Sequence, residues 1–126
     1  HDDPEVFDRT LAFAEETHLP LVSWFILTPL PGTVLYQRLS EQGRIIDRNW
    51  HNYDLSRAVF RPAQMTPEEL EERYWKAFGD FYSLPKIAKR VRNATTDVTI
   101  QTMYAMLSRS MIAHRINPLS GGVLAK

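Results

Sequence analysis

The residues able to do chemistry are few and scattered. The four histidines, His1, His18, His51 and His114, never fall at i, i+3 or i+4, the spacing at which two imidazoles on one helix face could hold a metal. They read as surface or capping residues. Cysteine is absent, which excludes a disulfide framework, a thiolate metal site and a thiol nucleophile from these residues. Glu41, Asp47 and Asp54 could supply an acid–base pair, but no serine–histidine constellation accompanies them. No catalytic and no metal-ligating residue is therefore expected in this chain. What remains is the turn Thr28-Pro29-Leu30-Pro31-Gly32-Thr33. Gly32 would let the backbone approach a ligand, and Thr28 and Thr33 offer hydroxyls. The same residues also make a stiff turn with Thr33 as a helix cap, the commoner use of proline and glycine in loops.

The elements around that turn decide where it sits. Asp3-Pro4-Glu5 suits a helix start, with Asp3 capping and Pro4 at the first helical position. Phe7, Leu11 and Ala14 mark its buried stripe, and His18-Leu19-Pro20 ends it. Residues 21–27, Leu-Val-Ser-Trp-Phe-Ile-Leu, predict a strand apolar on both faces, as in a parallel sheet covered by helices. The turn then lies at the strand's C-terminal end, the edge at which α/β sheets and barrels bind ligands. A second helix spans about 34–42, with Leu35 and Leu39 on one face and Gly43 as its stop.

A parallel strand needs neighbours, and the only other strand candidate is Ala58-Val59-Phe60, which could pair with 21–27. Two strands alone are marginal, so either the segment belongs to a larger sheet or downstream helices cover it. Residues 44–64 read as an aromatic connecting loop. Thr66, Pro67 and Glu69 open the strongest helix, with Thr66 as cap and Glu69 completing a capping box. Leu70, Tyr74, Ala77, Phe78 and Phe81 follow as its core stripe. Ser83-Leu84-Pro85 predicts a break, 86–92 continues helically, and 93–96 is a linker and cap. Ile100, Tyr104, Leu107 and Met111 mark a last helix that ends before Asn117-Pro118. The fold class is α+β and mainly helical, divided as 1–43, 44–64, 65–116 and a loose tail over 117–126.

The 126 residues suffice for one domain. With 44% apolar and 24% charged residues, the chain is an ordinary globular one rather than a disordered or fibrous one. No apolar run reaches the roughly 20 residues that span a bilayer, and a cytoplasmic setting is expected. Fifteen basic residues balance fifteen acidic ones, but unevenly: residues 1–64 hold six basic and nine acidic, net −3, and residues 65–126 the reverse, net +3. Lys86, Lys89, Arg90 and Arg92 cluster, with Arg109 and Arg115 beyond. Such a cluster could meet phosphate or RNA. A solvated helix face beside an acidic partner is commoner, and no RNA-binding signature accompanies it. The competing functional reading is thus a self-standing helical protein- or RNA-interaction module using the 86–92 face. The Asn93-Ala94-Thr95 sequon is discounted, since nothing suggests secretion. The chain begins at His1 without a signal-peptide pattern, as a piece of a longer protein would.

Several of these stretches, taken in order, resemble one family. They are Phe25-Ile26-Leu27-Thr28-Pro29-Leu30-Pro31-Gly32-Thr33-Val34-Leu35-Tyr36, Leu39, Gly43-Arg44-Ile45, Asp47-Arg48-Asn49-Trp50, Tyr53-Asp54, Val59-Phe60-Arg61-Pro62, Met65-Thr66-Pro67-Glu68-Glu69-Leu70 and Phe81-Tyr82-Ser83. The family is the radical S-adenosylmethionine enzymes with an N-terminal cobalamin-binding domain. The resemblance runs from the first helix to about Arg92. It implies a helix–strand–helix unit from the end of a partial (β/α) barrel, then a helical C-terminal extension. It also implies a C-terminal fragment that binds no cofactor by itself and performs no radical chemistry alone. The parent would hold a 4Fe-4S cluster on a three-cysteine loop, together with S-adenosylmethionine and cobalamin, and would methylate or rearrange an unreactive carbon. By resemblance, Thr28, Pro29, Pro31, Gly32 and Thr33 lie near cofactor or substrate in the intact enzyme. The implied partner is the rest of the barrel. The isolated chain is expected either to dimerise through 21–27 or to cover Trp24, Phe25 and Ile26 with its C-terminal helices.

Overall fold

A computed structural model of the chain describes residues 3–94 and 97–118. Helices α1 (Val6–Glu16), α2 (Val34–Glu41), α3 (Pro67–Phe81), α4 (Leu84–Arg92) and α5 (Val98–Ala113) follow in order, with one 3-10 turn at Trp50–Asn52. Helix α3 is central and touches α1, α4 and α5. Its inward positions Tyr74, Ala77, Phe78 and Phe81 are buried, as the stripe predicted. Around them gather Ala14, Ile26, Tyr82, Ile87, Ala105 and Ile112. Aromatic rings meet edge-on or tilted in this core, with Trp24 centroids 5.6 Å from Phe78 and 5.9 Å from Phe81, the arrangements that ring quadrupoles favour. No helix among the described residues is long and apolar enough to cross a membrane.

The helix ends show how local chemistry sets the boundaries. Thr33 caps α2 by accepting from the Tyr36 amide at 3.2 Å, and Thr66 caps α3 by accepting from the Glu69 amide at 3.1 Å. The expected capping box is only half formed, because the Glu69 carboxylate instead engages Arg73 one turn on, at 2.9 Å. Helix α1 begins at Val6 rather than at Pro4, since Asp3 folds back to accept from the Glu5 amide and to pair with Arg9. Gly43 ends α2 at φ +65. Its amide bonds Ser40, and the next amide bonds Leu39, which is a Schellman cap. His18 ends α1 and Arg115 ends α5 with the same pair of bonds, both in the left-handed region. Asp97, not the linker before it, caps α5 through the Thr99 and Ile100 amides.

Two sequence expectations need correction. No strand forms among the described residues. The 58–60 stretch does not pair with 21–27, because its backbone is already used: Phe60 makes an isolated antiparallel bridge with Ile45, Val59 accepts from the Ile46 and Asp47 amides, and Ala58 donates to Glu71. The mainly helical part of the expected fold holds, and the sheet part is not formed here. The stripe read for α5 is the second. Ala105, Ser108 and Ile112 face the core, whereas Ile100 (63%) and Leu107 (59%) are exposed. The large apolar side chains Ile100, Met103 and Leu107 share the face turned away from the core, and the small Ala105 and Ser108 on the inner face allow close packing on α3 and α4. Thr95, Thr96 and the tail from 119 onward lie outside the described residues.

With its cap and its buried stripe, α3 should dominate stability. Thr66→Ala is expected to cost about 1 kcal/mol. Phe78→Ala, at a side chain with 0% exposure, should cost roughly 3–5 kcal/mol. Urea denaturation of the two variants measures both losses, and α3 amides should exchange slowest in the wild-type chain.

Candidate functional site

Residues 21–27 run extended across the core, although no sheet receives them. Their burial alternates: Trp24 and Ile26 point in, while Phe25 (45% exposed) and Leu27 (55% exposed) point out. The expected helical cover therefore reaches Trp24 and Ile26 but not Phe25, because an extended chain can lay only alternate side chains on one surface.

The backbone shows the same two-sidedness. In an extended chain successive residues aim their N–H and C=O groups at opposite edges. The even-numbered residues find partners in side chains and in one loop carbonyl, in place of a neighbouring strand. The Tyr82 hydroxyl donates to the Val22 carbonyl at 2.8 Å and accepts from the Val22 amide at 3.3 Å. The Trp24 carbonyl accepts from the Tyr74 hydroxyl and from Asn117 Nδ2, each at 3.1 Å, and Asn117 also donates to the Tyr74 oxygen at 2.7 Å. The Ile26 amide donates to the Leu55 carbonyl at 2.8 Å. Leu55 sits at φ +66, a conformation that costs a bulky side chain about 1–2 kcal/mol. The backbone groups of Ser23, Phe25 and Leu27, which face the other edge, have no partner within the described residues. Beside them lies an apolar cleft of about 570 Å³, walled by Phe7, Phe60, Met65 and Leu70.

At the C-terminal end of this segment stands the turn. Thr28 and Pro29 are buried, while Pro31, Gly32 and Thr33 are exposed. Thr28 Oγ1 donates to the Ile26 carbonyl at 3.1 Å. Thr33 Oγ1 donates to the Leu30 carbonyl at 2.7 Å and also caps α2. Both hydroxyls thus serve local structure, and Gly32, at φ +81 with open space around it, supplies the reversal. The five residues share one turn, of which Pro31, Gly32 and Thr33 form the accessible rim.

The carboxylates noted in the sequence build loop structure. Asp47 accepts from the Asn49 amide and from Asn52, and these hydrogen bonds hold its carboxyl below the usual range. Asp54 accepts from the Ser56 amide and hydroxyl and pairs with Arg57. Tyr36, Trp50 and Tyr53 join α2 to this loop through ring contacts of 6.1 and 5.0 Å. No group of three or more His, Asp or Glu able to hold a metal occurs among the described residues. The basic cluster is divided, with Lys86 paired to Glu15 at 2.5 Å and Arg90 laid over the Phe81 ring.

Tyr74, Tyr82 and Asn117 were not singled out as polar anchors in the sequence. A tyrosine inside an apolar stripe was the available signal, since a buried phenol requires a partner. Burial pushes the Tyr74 hydroxyl well above its ordinary value of 10.0 and raises that of Tyr82 as well. The neutral phenols therefore stabilise the fold fully below about pH 10, and that contribution is lost as the pH rises further and the unfolded chain ionises. The urea midpoint should fall above pH 10, and less steeply in Tyr74→Phe. At neutral pH Tyr82→Phe should cost about 1–3 kcal/mol by leaving the Val22 backbone unsatisfied.

The family described as "Domain of unknown function (DUF4070)" matches residues 33–120. The bacteriochlorophyllide d C-8(2)-methyltransferase of Chlorobaculum tepidum is 25% identical over 130 residues, covering 95% of this chain and 29% of that protein. An uncharacterized methyltransferase of Pyrococcus horikoshii is 28% identical over 66% of this chain and 18% of its own length. The bacteriochlorophyllide d C-12(1)-methyltransferase of Chlorobaculum tepidum is 28% identical over 72% of this chain and 20% of its own length. The chain thus spans less than a third of the length of these relatives. No solved structure matches it.

Proposed function

The chain belongs to the DUF4070 family, and from that membership we propose that it is the C-terminal scaffold of a cobalamin-dependent radical S-adenosylmethionine methyltransferase. The observation that carries this reading is the one-sided finish of residues 21–27. One edge is sealed by Tyr82, Tyr74, Asn117 and Leu55, as suits the last strand of a sheet. The other edge keeps its hydrogen-bonding groups, as suits a strand with a neighbour still to come. The methyltransferase names of the longer relatives support methyl transfer as the reaction class, and an unreactive carbon is the acceptor of this proposal.

An iron–sulfur cluster does not fit the residues present, since there is no cysteine. The cluster and the cleavage of S-adenosylmethionine are assigned to the rest of the parent. This chain contributes shape. The turn holds Pro31, Gly32 and Thr33 at the end of the segment, where they border cofactor or substrate, and Phe25 and Leu27, which point away from this chain's core, offer an apolar surface to the rest of the parent. In the 126-residue chain alone the open edge is available to a second copy, and pairing through 21–27 gives a homodimer.

Anaerobic reconstitution tests the proposal. The full-length parent should bind iron and sulfide on an upstream three-cysteine loop and reductively cleave S-adenosylmethionine, and the 126-residue chain should do neither. A parent reading frame without the cysteine triplet, or cluster binding by the chain alone, would overturn it.

A further inference from the structure

At the start of the extended segment, at the opposite end from the Thr28 turn, a second cleft opens. It lies between the end of α1, the length of α4 and the first turn of α5, and has a volume of about 590 Å³, within the range of small-ligand sites. Its apolar wall includes Ala14, Pro20 and Ala94, and its basic wall includes Lys86, Lys89 and Arg90. Lys86 is neutralised by Glu15, the one carboxylate in the lining. Lys89 and Arg90 have no carboxylate within ion-pair distance among the described residues.

Arg90 is fixed in place rather than waving in solvent. Its guanidinium carbon lies 3.9 Å from the Phe81 ring centroid, and one nitrogen donates to the Phe81 carbonyl at 2.7 Å. A guanidinium carries five N–H donors in a fixed fork, so most of its donors remain for another acceptor. His18 also lines the cleft. Its Nδ1 donates to the Glu16 carbonyl at 2.8 Å, which leaves Nε2 as the nitrogen without a partner among the described residues.

We propose that this cleft binds a small molecule with an apolar body ending in an anionic group, a carboxylate or a phosphate. The anion lies against Arg90 and Lys89, and the body lies against Ala14, Pro20 and Ala94. A bare apolar ligand would leave two positive charges unmatched in a partly desolvated wall. A bare anion would leave the apolar wall wet. This inference is independent of the family assignment, because it uses only the shape of the cleft and the charge of the side chains that line it.

Calorimetric titration of the 126-residue chain with octanoate, octyl phosphate, octanol and inorganic phosphate tests it, with amide chemical-shift mapping. At least one of the two amphiphilic anions should bind about tenfold more tightly than octanol and than inorganic phosphate, and should shift amides in 14–20 and 86–94. A preference for octanoate or for octyl phosphate upholds the proposal and identifies the anion. Lys89→Gln should weaken binding about three- to tenfold, and Arg90→Gln should weaken it more. Should Arg90→Gln unfold the chain by releasing α4 from Phe81, Lys89→Gln decides, since Lys89 is exposed. Octanol or inorganic phosphate binding as tightly as the better of the two amphiphilic anions, or an unchanged affinity in Lys89→Gln, would each overturn it.

Discussion

The fold depends on how one extended apolar segment satisfies its backbone without a sheet. Buried peptide groups left unpaired cost about as much as the lost hydrogen bond. Residues 22, 24 and 26 lie on the aromatic core, so each must find a partner there. Helix α3 and the residue just after it supply two phenols, and Asn117 and Leu55 supply the rest. The placement of α3 is thereby fixed by packing and by hydrogen bonding together, and the Thr28 turn is held at one end of the segment it anchors.

This arrangement accounts for the division of labour between α3 and the other helices. The face of α3 that carries Phe78 and Phe81 also carries Tyr74, so a single stripe both fills the core and reaches the Trp24 carbonyl. Helices α4 and α5 close over that stripe, and Arg90 stacked on Phe81 ties α4 to the end of α3. Helix α2 contacts none of the other helices and is joined to the chain by the Thr33 cap, the Gly43 stop and the ring contacts of Tyr36.

Much of this was legible in the residues. Caps and stops placed α2, α3 and the α3–α4 break, because Thr33, Thr66, Gly43 and Pro85 act through their own backbone geometry. The apolar run at 21–27 was legible as a strand, and no strand forms there among the described residues. Its tyrosine and asparagine partners were not legible, since they lie 50 to 93 residues away and no periodicity encodes such a distance. The α5 face was misread because its large apolar side chains Ile100, Met103 and Leu107 lie on the exposed face, and the inner face was chosen by the small size of Ala105 and Ser108. The residues of the turn were legible as a unit, whereas the commitment of the Thr28 and Thr33 hydroxyls to local bonds required the fold. The second cleft was visible only as a basic cluster, because Ala14 and Pro20 approach it from a different part of the chain.

The hydrogen bond between Asn117 and the Trp24 carbonyl also has a consequence in time. A ribosome makes residue 24 long before residue 117, and the two are separated by 93 positions. While the chain emerges, the edge that Tyr74, Tyr82 and Asn117 will seal is still bare, and α3 has yet to be synthesised. Domains fold as they are made, N-terminal parts first, and contacts so distant in sequence close late. Any strand made earlier in a longer polypeptide therefore meets residues 21–27 first. Helix α5 and the asparagine beyond it act as a latch, thrown only after the rest of the segment's described partners have been made.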